Sequence, residues 1–192
     1  MASKLDQVLG SIDPDKTVNQ ISARADTAIN KFSMNKAVIK DWQAFRKKLA
    51  KFYCHVEGDV LGIGTDREVN FDMHWGRCCY LLMKKWGNNG EKAAFEMART
   101  GKEGGFKRVL ETIAQLMIQE YATNEISSKA LSFWNNLSVD EKLAVVDEYL
   151  AKYGHLLPDE LKESNAVRLK AQFHQVLIQH PNMMKRLQNI GR

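Results

Sequence analysis

The chain has 192 residues, 44% hydrophobic and 27% charged, with a net charge of +5. That length fits one domain with a sizeable core, and the composition argues against disorder away from the ends. Three prolines, few alternating apolar/polar runs and much Ala, Leu, Lys and Glu predict an all-α fold, a single-domain bundle of roughly seven to nine helices with short loops.

Residues 1–12, "MASKLDQVLGSI", read as a flexible tail and lack the apolar run of a secretory signal. The first helix follows, with Asp13 as cap, Pro14 in the first turn, and Val18, Ile21, Ala25, Ala28 and Phe32 on one face. After a break at Ser33 to Asn35, Val38, Trp42, Phe45, Leu49, Phe52 and Val56 form a heptad-like seam on a longer helix. Residues 58–69, "GDVLGIGTDREV", read as loop, because a lone strand has no partner here. Asn70 then caps a helix over "FDMHWGRCCYLLMKKW", apolar around so much of its circumference that it belongs at a bundle's centre. Gly87 takes its C′ position.

A short helix at about 91–99 leads to "TGKEGGFKRV". Further helices are expected over Phe106 to Tyr121 and over Ile126 to Trp134. Ser138 and Glu141 form a capping box for the next helix, which Gly154 ends. A turn started by Pro158 and a long helix from Ala166 to His180 follow, stopped by Pro181. Residues 181–192 read as a short terminal helix or tail, where Met183, Met184, Leu187 and Ile190 either form a partner patch or close the core.

Three constellations carry candidate chemistry. Lys36, Lys40, Arg46, Lys47, Lys48 and Lys51 form a basic stripe suited to phosphates or an acidic protein surface, against the plainer reading of a solvated face. Gly101, Lys102, Gly104, Gly105, Lys107 and Arg108 have the glycines and cations of an anion-binding turn. They lack the Gly-x-x-x-x-Gly-Lys-Ser/Thr order of a nucleotide loop, so a helix-to-helix bend is the favoured reading. Cys54, His55, His74 and Cys78 can form a soft-ligand metal site or an activated thiolate if their helices face one another, with core packing as the simpler account.

No cofactor is indicated, no apolar stretch reaches the length of a membrane span, and the three cysteines without C-x-x-C spacing suit reduced thiols in a cytoplasm. The expected function is a non-enzymatic helical protein-interaction module, an adaptor, assembly component or inhibitor whose partner is another protein. Nucleic-acid binding through the basic stripe and small-molecule or metal binding in the bundle are the alternatives.

Overall fold

The computed structural model describes residues 1–33, 39–64, 70–157, 171, 173–180 and 183–190. The protein is an all-α multi-helix bundle, as its composition predicts, and the described residues contain no strand. Among the described residues the helices are, in chain order, α1 (Lys4–Ser11), α2 (Pro14–Ser33), α3 (Trp42–His55), α4 (Phe71–Trp86), α5 (Gly90–Thr100), α6 (Gly105–Asn135), α7 (Val139–Tyr153), α8 (Phe173–Ile178) and α9 (Met183–Gln188). They gather into two compact units, one of Met1–Thr17 with Ala122–Ile190, the other of Val18–Tyr121.

In the first unit the expected N-terminal tail is a helix. The Ser3 side chain accepts from the Asp6 amide and caps α1, and Leu5, Val8 and Ile12 recur at helical spacing and are buried. The capping box of Ser138 and Glu141 starts α7 as expected. Gly154 ends α7 as expected, capping it at φ −57° with its amide on the Leu150 carbonyl, and a 3-10 turn, Gly154–Leu156, follows. Tyr149 anchors the core beside Phe173, with ring centroids 5.4 Å apart, and its hydroxyl pairs with His180 Nδ1 at 3.1 Å. Burial pushes the Tyr149 phenol up to about 12 and the His180 imidazole down, so both stay neutral near pH 7. Met183 and Leu187 of α9 are buried, which answers the core-or-patch alternative in favour of core for these two. The Pro158 turn, the expected helix start at Ala166 and Pro181 lie outside the described residues, as does the Met184 side chain.

Surface ion pairs tie this unit together: Lys4 to Glu141, Lys152 to Asp6 and Glu148, and Arg186 to Asp13 and Asp15. Lys4, followed by the Ser138 amide, holds the Glu141 carboxyl down at about 2. The Ser3 hydroxyl lowers Asp6, and Lys152 lowers Glu148. A carboxyl depressed by folding stabilises the native state above its unfolded pKa, and that contribution fades as pH falls through the folded value. The thermal midpoint should therefore drop between about pH 4.3, the ordinary glutamate value, and about pH 2. Lys4→Ala should flatten that decline, and a scan of unfolding temperature against pH reads both.

In the second unit, α3 starts at Trp42 because the Asp41 carboxylate accepts from the Ala44 amide, so Lys40 precedes the helix and is not on it. Phe45, Leu49, Phe52 and Val56 of the expected seam are fully buried, while Val38 lies outside the described residues. Of the segment expected to be loop, residues 58–60 instead prolong α3 as part of a π turn, Val56–Val60, in which the Leu61 amide reaches back to the Val56 carbonyl at 2.9 Å; residues 61–64 are non-helical as expected, and 65–69 lie outside the described residues. Its glycines end the helix later than their number suggests, with Gly62 at φ 68°. Asn70 caps α4 by accepting from the Met73 amide, as predicted.

The two helices expected between Phe106 and Trp134 are one. α6 runs 31 residues, about 46 Å at 1.5 Å per residue, because no Gly or Pro breaks it. Val109, Ile113 and Met117 are buried at spacings of four in its first half, and Ala122, Ile126, Ala130 and Trp134 at spacings of four in its second. Trp42, Phe45, Trp75, Phe95 and Phe106 meet in an aromatic cluster around Phe45, with centroid separations from 5.1 to 6.3 Å.

Candidate functional site: an exposed apolar face on α4

The three sequence constellations fare differently once folded. In the basic stripe, Lys40, Lys47 and Lys51 are exposed and Lys48 is half-buried, while Lys36 lies outside the described residues. Arg46 is drawn inward. Its guanidinium sits 5.0 Å from the Phe71 ring centroid and 5.2 Å from that of Trp75, a cation–π stack that joins α3 to α4. What remains in line on α3 is Lys47 and Lys51.

The glycine stretch folds as a bend. Gly101 adopts the left-handed conformation at φ 72°, a 3-10 turn spans Lys102–Gly104, and α6 starts at Gly105. The amides of Gly101, Lys102 and Gly105 bond to Met97, Thr100 and Lys102. Lys102 and Lys107 are exposed and Arg108 is half-buried.

The Cys/His neighbourhood is dispersed into separate contacts. Cys78 is buried, with its thiol 3.6 Å from the Leu49 carbonyl. Burial pushes the Cys78 thiol far up and raises Cys79 as well, the reverse of what a nucleophilic thiolate needs. His74 is 3% exposed, its ring 5.6 Å from that of Tyr53, and its Nδ1 has no hydrogen-bond partner among the described residues. His55 turns the other way and pairs with Asp59 at 2.8 Å, four residues on. Cys54 is half-buried, and none of the three cysteines is in a disulfide. Among the described residues no group of three or more His, Cys, Asp and Glu side chains is placed to hold a metal ion.

Sequence reasoning missed two features. The first is an open pocket of about 280 Å³ between α2 and the π turn, lined by Arg24, Thr27, Ala28, Lys31, His55, Asp59 and Val60. The residues of α2 recur there at spacings of three, one and three, but the turn that faces them was expected to be loop.

The second is the outer side of α4. Against the expectation of a helix enclosed at the bundle's centre, Met73, Tyr80 and Met83 are 45%, 53% and 42% exposed. With Gly76 they stand at spacings of three, four and three, which puts all four on one helical face. The inner side carries the buried His74, Cys78, Leu81 and Leu82. An apolar circumference showed that both sides of α4 avoid charge, without showing that one of them meets water. No protein-family model, curated protein or solved structure matches the chain.

Gly76 is the unusual member of the face. Glycine inside a helix costs about 1 kcal/mol relative to alanine. A Cβ at this position would meet nothing within 4 Å, so packing within the chain does not require the glycine. Gly76→Ala is expected to stabilise the protein by about 0.5–1 kcal/mol, raising the thermal midpoint by about 1–4 °C in a calorimetric or circular-dichroism melt. Around the face lie Asp72 in the first turn of α4 and Lys84 and Lys85 in its last, with Lys84 over the Tyr80 ring at 5.5 Å. Arg77, beside the face, is bonded to the Tyr53 phenol.

Proposed function

We propose that this chain is a helical protein-interaction module that docks protein through the outer face of α4. The reading is supported by one observation above the rest: two methionines and a tyrosine exposed at helical spacing around a glycine that the chain's own packing does not need. Methionine adapts its shape to a partner surface, and an aromatic ring supplies a rigid anchor. Such a face is the kind that a second helix covers.

The test uses oxidation of methionine sulfur as a footprint. The full chain is treated with dilute peroxide, once purified and dilute, and once in an extract of cells that make it. Met73 and Met83 are expected to be protected in the extract relative to the exposed Met1. Equal oxidation of all three in both settings contradicts the reading.

A second reading, binding of a small anion, is favoured by the pocket beside the π turn, where Arg24 and Lys31 stand with the His55–Asp59 pair. Its volume, about 280 Å³, lies just below the usual range for sites of drug-sized ligands and suits a small ion. A rise in thermal midpoint with inorganic phosphate that Arg24→Ala abolishes supports it, and no rise contradicts it.

A further inference from the structure

We infer that the partner on this face is a second copy of the same chain, lying antiparallel along α4 about a two-fold axis level with residue 78. The inference rests on the reading that α4 docks protein, and adds to it the identity of the partner. The spacing of the face is self-complementary. Gly76 and Tyr80 stand two residues to either side of position 78, and Met73 and Met83 stand five to either side. A two-fold axis there brings each Tyr80 ring level with the partner copy's Gly76, and each Met73 level with its Met83. Like surfaces then meet as isologous halves, the arrangement of most homodimers.

Shape and charge both favour this occupant. Gly76 leaves a notch that nothing in the chain fills within 4 Å, and Tyr80 offers a protruding ring, 53% exposed, one helical turn away. The notch and the ring that fits it are thus on the same helix, as a self-complementary surface requires. The face also has unlike ends, flanked by Asp72 in the first turn and Lys84 in the last. Antiparallel pairing lays the acidic end of each helix along the basic end of the other, and opposes the helix dipoles as well. Parallel pairing would bring like charges together. One helix face is smaller than a standard interface of about 800 Å² per partner, so the dimer should be weak and concentration-dependent.

Sedimentation velocity of the full chain across the micromolar range tests the inference. The wild-type protein is expected to pass from monomer toward dimer as concentration rises. Gly76→Leu fills the notch and Tyr80→Glu removes the ring, and both should remain monomeric over the same range. Leucine favours helix over glycine, so Gly76→Leu should keep a wild-type circular-dichroism spectrum, and its loss of association is then not a loss of fold. A wild-type chain that stays monomeric throughout, or variants that dimerise as the wild type does, overturns the inference. Protection of Met73 and Met83 in extract, with a monomeric purified chain, assigns the face to a different protein; that result rejects the second copy and leaves the docking reading intact.

Discussion

Phe45→Ala is expected to destabilise the protein by about 3–5 kcal/mol, a large share of the about 5–15 kcal/mol that holds an ordinary domain folded. Phe45 is fully buried and lies against the rings of Trp42, Trp75, Phe95 and Phe106, which come from α3, α4, α5 and α6. Truncation removes apolar surface from the centre of the cluster and leaves a cavity that four separate helices would have to close together. Trp42 and Trp75 pack edge-on at 5.6 Å beside it, and Arg46 stacks on Trp75, so a shift of one ring is felt by the cation above it. Urea unfolding followed by tryptophan fluorescence measures the loss. A cost below about 1 kcal/mol would mean that the cluster does not hold these helices together.

Gly90→Ala should be about as damaging, for a different reason. A Cβ on Gly90 would collide with the Leu82 carbonyl oxygen and lie 2.5 Å from its carbon and 2.9 Å from the Met83 nitrogen. All three are backbone atoms of α4, and a backbone cannot turn aside as a side chain can. To accept one methyl group, the start of α5 must lift away from α4, which also disturbs the Gly90 amide's bond to the Gly87 carbonyl at 2.9 Å. Overpacking against movable side chains costs about 1–3 kcal/mol; here the cost should reach or exceed the top of that range. The same substitution at Gly76 should stabilise the protein. Opposite signs for two glycine-to-alanine changes, one on each of two adjoining helices, can be read from a pair of melting curves. A neutral Gly90→Ala would contradict the close approach of α5 to α4.

Local signals carried most of the fold. Asn70, Asp13 and Ser138 with Glu141 each start a helix where a short polar side chain can reach the first free amides. Phe45, Leu49, Phe52 and Val56 recur at three and four residues because one face of α3 must meet the core. The misses arose where tertiary contact overrode local preference. Thr123, Asn124, Ser127 and Ser128 lower helix propensity, yet α6 passes through them with Ala122, Ile126 and Ala130 buried among them. Gly58, Gly62 and Gly64 disguised the π turn as loop.

The candidate site was less legible than the fold. Arg46 looked like part of a basic stripe because its stacking partners, Phe71 and Trp75, come from a helix far along the chain. Cys54, His55, His74 and Cys78 are close in sequence pattern, yet a helix presents each on its own bearing. His55 therefore meets Asp59 while His74 meets Tyr53. The α4 face was present in the sequence as excess hydrophobicity. Which side of that helix is left uncovered depends on where α3 and α5 pack, and spacing within α4 does not encode it.

The most direct test replaces Tyr80 with a photo-crosslinking amino acid in living cells, with Lys51 on the outer side of α3 as the matched control. Crosslinking from position 80 to one defined protein, a second copy of this chain if the dimer is correct, and none from position 51, is the predicted result. Equal yields at the two positions, or no product at 80 when 51 captures a partner, would show that α4 is not the docking face.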